Sequence, residues 1–182
     1  MVQYSIDGKD STFTVRAFAT GLLSTFAHNP TIAIRDFEGE ISFNPEAVEL
    51  SSMRLVIRST SLAVTDDVRE KDRAEIDRAM QEEVLESESF PEIVYESSGV
   101  SASKIGEGQY WGAMNGKLML HGVQRSQPVS VRIAINGDVL RATGDFSVRQ
   151  SDYEIRPVSA VGGTIKLKDE LKFSFDITAR KT

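Results

Sequence analysis

Residues 129–148 read VSVRIAINGDVLRATGDFSV. Val129, Val131, Ile133 and Ile135 alternate with Ser130 and Arg132. After Asn136-Gly137 the alternation resumes through Leu140, Ala142, Gly144, Phe146 and Val148. A period of two puts one set of side chains on a buried face and the other set in water, as in half-buried strands. Asn-Gly between two such runs signals a tight type I′ hairpin. The stretch predicts two long strands lying antiparallel.

The same period recurs in both directions along the chain. Upstream it runs through Phe13 and Val15, then Phe37, Gly39, Ile41 and Phe43, then Met53, Leu55 and Ile57. It continues in Ile93 and Tyr95, and in Met114, Gly116, Leu118 and Leu120. Downstream it returns in Leu171, Phe173, Phe175 and Ile177. The total is about eight strands, and one wet face on each implies an antiparallel sheet. Thr31–Phe43 and Gln124–Asn136 read as long strands, which favours a closed barrel over a sandwich of short ones. Eight strands enclose room either for packed side chains or for one small ligand. Bulky phenylalanines stand beside Gly39, Ala113, Gly116, Ala142 and Gly144, residues that either let strands coil or leave space.

One segment departs from the pattern. Ile76, Ala79, Met80 and Val84 fall at helical spacing between Asp67 and about Leu85, with Thr65, Asp66 and Asp67 as capping candidates and Ser87–Pro91 as the stop. This predicts one amphipathic helix, a mid-chain insert over about 66–88. A shorter helical turn is expected over Thr20–Ala27. From Asp66 to Glu96, twelve acids stand against four bases; elsewhere 15 acids stand against 17 bases. The net charge of −6 is therefore one local acidic feature on a nearly neutral body. No linker or repeat divides residues 1–182, so they read as a single domain.

Several function classes drop out. Without clustered Lys and Arg, nucleic acid is not expected as a partner. No apolar run is long enough to span a membrane as a helix. Met1–Asp7 lacks the features of a signal peptide, so a cytoplasmic location is expected, or a periplasmic one if the chain has been trimmed. The chain has no cysteine and two histidines, His28 and His121. Thiol chemistry and Cys-based metal sites are excluded, and no His-x-His or His-x-x-x-His pair points to a metal. There is no Gly-x-Ser-x-Gly elbow, and adjacent acids such as Asp66-Asp67 and Glu82-Glu83 do not converge on one point when helical. His121 precedes Gly122 where one strand turns into the next and reads as a turn-stabilising residue.

Ordered motifs along the chain resemble a known family. They are Ser11–Arg16, Phe37–Pro45, Ser61-Leu62 with Thr65 and Arg69, Phe90–Ser97, Leu118–Val123 followed by Pro128-Val129, and Gly144–Val148 through Ser151-Asp152-Tyr153. Together they resemble the YceI-like, lipocalin-like isoprenoid-binding proteins, from about Tyr4 to Ala179. Ser126-Gln127, Glu154 and the loop Arg156–Gly163 depart from the family pattern. The resemblance implies an all-β fold: an extended, lipocalin-like antiparallel barrel whose hydrophobic tunnel holds an isoprenoid chain, such as a quinone tail or polyprenyl lipid. It implies carriage or storage without catalysis. No cofactor is required, and a co-purified isoprenoid lipid is the only bound group expected.

On that reading Phe13, Val15, Ile34, Phe37, Ile57, Ile133, Phe146, Phe173 and Phe175 are the expected tunnel lining. Phe18 and Phe26 are expected to gate the mouth, and His28 to hydrogen-bond a head group there. Two alternatives stand beside it. One is a structural or interaction module with a filled core and the acidic helix as its surface. The other is an enzyme acting on an apolar substrate with His28 as acid or base. A homodimer is consistent with a barrel that has exposed edge segments.

Overall fold

Among the described residues, fourteen strands and one α-helix form in the order β1 (Val2–Ile6), β2 (Thr12–Arg16), β3 (Ala19–Thr20), β4 (Thr31–Ile34), β5 (Phe37–Phe43), β6 (Ser52–Arg58), β7 (Leu62–Val64), α1 (Glu70–Ala79), β8 (Glu92–Gly106), β9 (Gln109–Leu120), β10 (Val123–Asn136), β11 (Val139–Arg149), β12 (Ser159–Ala160), β13 (Ile165–Leu167) and β14 (Glu170–Lys181). The computed structural model describes residues 1–20, 29–67, 69–160 and 165–182. Its longest strands are β8 to β11 and β14, each of eleven residues or more.

Eight strands close a ring in the order β1-β5-β6-β8-β9-β10-β11-β14, and β14 pairs back to β1. Every pairing is antiparallel. Strands β2, β4 and β7 branch from β14 in that order, and β12, β13 and β3 form a small separate sheet. The branch arises because three strands break. A short 3₁₀ turn at Gly8–Asp10 separates β1 from β2, and another at Ser59–Ser61 separates β6 from β7. The run expected as a single strand from Thr31 to Phe43 is likewise two strands, broken at Arg35-Asp36. There the Asp36 carbonyl accepts the Arg58 N–H at 3.0 Å.

The branch leaves β7 with an unpaired edge, and the inserted helix covers it. Asp77 Oδ1 accepts the Val64 N–H at 2.9 Å, and Gln81 Nε2 donates to the Leu62 carbonyl at 3.0 Å. Side chains of the helix thus stand in for the missing strand, which protects an edge that would otherwise pair with another chain. The helix continues beyond Ala79 as a π turn, Met80–Val84. Its start differs from expectation. No side chain caps it. Asp66 Oδ2 instead accepts the Thr31 N–H at 2.6 Å and fixes the start of β4. The acids that remain on the first turn, Glu70 and Asp72, still suit the positive end of the helix dipole.

The hairpins also refine the reading. Asn136 pairs with Val139, so the two loop residues are Gly137 and Asp138. Gly137 has φ +58° and Asp138 is not in the left-handed region, so the turn is type II′ rather than I′. The type I′ turn lies between β9 and β10, where His121 (φ +52°) and Gly122 (φ +73°) are both left-handed. Beyond Thr20, which lies in β3, the helical turn expected to run to Ala27 falls outside the described residues. No described helix is long and apolar enough to cross a membrane.

If helix side chains replace a strand at the β7 edge, Asp77→Ala and Gln81→Ala should each cost about 1 kcal/mol in urea unfolding. The amide of Val64 should also exchange faster in the Asp77→Ala variant. Unchanged exchange at Val64 would mean that the Asp77 contact does not hold this edge.

Candidate functional site

The inward side chains fill one end of the ring and leave the other end hollow. At the filled end Phe43 meets Tyr110 edge-on at 5.2 Å, and Leu140 and Ala179 have almost no exposure. At the branched end lies a cavity of about 510 Å³. Below it is a second cavity of about 40 Å³. Met53, Met114, Phe175 and Ile177 line both and so form the partition between them. The interior is therefore not a solid core.

The large cavity is built by strand alternation on all sides and by the apolar stripe of the helix. Ile76, Ala79, Met80 and Val84 face it, as do Leu118 and Leu120 from β9. Among the described residues its lining is aliphatic or aromatic, apart from Glu75, Arg78 and Glu83 of the helical segment, and Gln150. Ile76 and Val158 line the cavity and are 40% and 37% exposed, which places the mouth between the helix and the segment after Ile155. Arg78 is held at the lip by Glu82 at 2.6 Å and Glu83 at 3.5 Å. Gln150 is buried and turns its amide N–H onto the Lys168 carbonyl at 3.0 Å.

One wall is phenylalanine. The β11–β14 register sets Phe146 opposite Phe173 and Gly144 opposite Phe175. Phe146 and Phe173 stack at 4.8 Å with an 11° interplanar angle. Phe13 meets both of them, and Phe175, in tilted or edge contacts at 6.1–6.5 Å. A Cβ at Gly144 would collide with the Ser130 carbonyl oxygen and come within 2.7 Å of the Phe175 ring, so glycine is what lets both approach β11 this closely. The small residues of the inner face therefore serve close approach as much as empty space. Across the barrel, Tyr95 donates its hydroxyl to the Gln127 carbonyl at 3.1 Å. Burial pushes this phenol up to about 12.

Of the residues expected to line a tunnel, Phe13, Val15, Ile34, Ile57, Phe146, Phe173 and Phe175 lie on the wall of the large cavity. Phe37 is buried but sits behind that wall, edge-on to Phe13 at 6.1 Å. Ile133 points inward at a different depth and lines the small cavity. Phe18, expected at the mouth, is not among the residues that line the cavity. It follows the inward-facing Ala17 and so turns outward, with Arg16 and Lys172 each 5.8 Å from its ring centre. Phe26 and His28 fall outside the described residues. His121 belongs to its turn: Nε2 meets Glu86 Oε2 at 2.6 Å, and the ring lies 4.4 Å from Phe90. The contact pins the end of the helical segment to the β9–β10 hairpin.

Sequence reasoning missed the methionines and the helix as cavity wall. Met114 shares its period with Leu118 and Leu120, and Leu171 shares its period with Phe173, so a signal existed for those strand positions. For Ile76 and Ala79 the apolar stripe was visible, but the sequence carries no mark of what it faces.

A family model described as YceI-like domain matches residues 4–179. No curated protein matches the chain in sequence. Among solved structures, a polyisoprenoid-binding domain from Saccharophagus degradans, implicated in plant cell wall breakdown, superposes with a TM-score of 0.73 at 13% identity over 100% of both chains. BcnA of Burkholderia cenocepacia gives 0.71 at 17% identity, covering 95% of this chain and 98% of that one. A YceI protein of Campylobacter jejuni gives 0.63 at 15% identity, over 86% and 87%. At these identities the likeness is one of fold.

Tyr95 gives a pH test. Its folded-state value lies above the ordinary 10, so folding favours the neutral phenol. That contribution is complete below pH 10 and is lost as the pH climbs toward about 12. Tyr95→Phe should lower stability by about 1 kcal/mol at neutral pH and flatten the alkaline fall in urea unfolding. An alkaline limb that keeps its full slope in the variant would assign it to other groups.

Proposed function

The chain belongs to the YceI-like family, and from that starting point we propose that it binds one long apolar molecule of isoprenoid type, a quinone or a polyprenyl compound, and carries or stores it without chemical change. The observation that carries this reading is the cavity of about 510 Å³, floored by the partition residues and open between the helix and Val158. That volume falls in the ordinary range of ligand pockets. Each buried methylene contributes roughly 0.8 kcal/mol, so an unbranched or isoprenoid tail needs no polar contact along its length. The tail enters first and ends at Met114 and Phe175; the head stays at the lip with Glu75, Arg78 and Glu83.

The neighbour from Saccharophagus degradans, a polyisoprenoid-binding domain with the same fold, supports this ligand class. The reading asks for no acid, base or nucleophile on the wall. The filled-core alternative fits less well, because the branched half is hollow.

Solvent extraction of the purified protein, followed by mass spectrometry, is expected to release a long-chain isoprenoid at close to one per chain. Stripped protein is expected to take up added quinone or polyprenol. Val129 is buried and faces the cavity, so Val129→Trp should occupy ligand space, cut uptake tenfold or more, and leave Tm unchanged or higher. An empty extract together with no uptake by the stripped protein would end the proposal.

A further inference from the structure

The wall of the cavity mouth formed by β2, β13 and β14 is apolar inside and basic outside. Strand alternation makes it so. Ala17 lines the cavity, and Arg16 and Phe18 flank it on the outer face. Leu167 lines the cavity between Lys166 and Lys168, and Leu171 and Phe173 line it on either side of Lys172. The strands bring the outer residues together. Lys172 pairs across from Arg16, Lys166 pairs across from Thr20, and the Lys168 N–H bonds to the Phe18 carbonyl at 2.7 Å. The Phe18 ring lies 5.8 Å from both the Arg16 guanidinium and the Lys172 ammonium.

These four cations are exposed, and among the described residues none has a carboxylate within ion-pair distance. The residues outside the described set include no Asp or Glu. The nearest acid in sequence to Lys168, Asp169, is engaged elsewhere: it accepts from the Ser151 hydroxyl at 2.6 Å and meets Arg149 at 3.5 Å. Glu170 lies across from Arg149, at the end of the β11–β14 register. The acidic helix is separated from β2 by β4 and β7. At physiological salt, exposed charges farther apart than about 8 Å are largely screened, so the local patch and not the net charge of −6 sets what this wall attracts.

We infer that this wall docks the cavity mouth on an anionic bilayer surface. Arg16, Lys166, Lys168 and Lys172 meet lipid phosphates, Phe18 sits at headgroup level, and the exposed apolar rim at Val158 meets the acyl boundary. An acidic protein would suit the charges but not their continuity with the apolar lip, whereas a bilayer meets both. The inference builds on the proposed isoprenoid cargo, a molecule that resides in membranes.

The test uses the full chain, stripped of lipid, with vesicles that contain no isoprenoid, so docking is read apart from cargo. Co-sedimentation is compared between phosphatidylcholine vesicles and vesicles with roughly 30% phosphatidylglycerol. Binding is expected to the anionic vesicles only, and to fall as salt rises. Each removed cation should lower the partition coefficient about fivefold, so Lys166→Gln with Lys168→Gln should lower it about 25-fold. Lys104→Gln with Lys117→Gln, exposed on β8 and β9, should leave it unchanged. Equal binding to both vesicle types, full binding by the Lys166/Lys168 variant, or capture by a soluble acidic polypeptide but not by vesicles would overturn the docking surface. Vesicle binding with no uptake of detergent-dispersed quinone would instead overturn the cargo reading.

Discussion

Strand β14 hydrogen-bonds to β11 along one edge for nearly its whole length. Its other edge is shared: Lys172–Asp176 pair with β2, and Ala179–Lys181 pair with β1. Two strands on one edge, joined by a turn at Gly8–Asp10, lead their own neighbours in different directions. From β1 the sheet continues through β5 and β6 to β8 and closes. From β2 it continues through β4 to β7 and stops. The branched end is therefore wider than a ring of eight can fill, and the gap beside β7 calls for the helix. The cavity follows from this split edge more than from any single lining residue.

The two ends of the barrel divide the energetics. The closed end is packed with aromatic and aliphatic side chains and supplies the dispersion and burial terms. The hollow end forgoes them, since lining atoms that face empty space have no partner. Phenylalanine suits that wall because rings stacked or edge-on to one another still hold each other when the cavity is empty, as Phe13, Phe146, Phe173 and Phe175 do. A ligand that fills the space would add to stability in proportion to its concentration over its dissociation constant. For this fold, cargo and folding are thermodynamically linked.

Periodicity revealed most of the strands because it is a local property. It also contained the break at Arg35-Asp36: Ile34 and Phe37 are both buried, three residues apart, and a continuous strand would turn one of them outward. The same parity places Phe18 outside once Val15 and Ala17 are inside. Depth was not legible. Ile133 faces inward as its alternation requires, yet whether it meets the large cavity or the small one depends on how β9, β10 and β11 are staggered. Partners made across long sequence separations were equally silent. Nothing near Asp66 announces that it holds Thr31 rather than the helix, and nothing near Asp77 announces Val64.

The register that pairs Tyr4 with Lys181 has a consequence for how the barrel assembles. The seam joins strands from opposite ends of the described chain, and the local hairpins from β8 to β11 can form long before it. During synthesis β1 therefore waits with one edge bare until β14 is made. Closure is the contact with the largest loop to shut, so it comes late and sets the pace of folding. Until then the incomplete sheet exposes both its interior phenylalanines and its open edges, and in that interval it is most prone to pair with a second copy of itself.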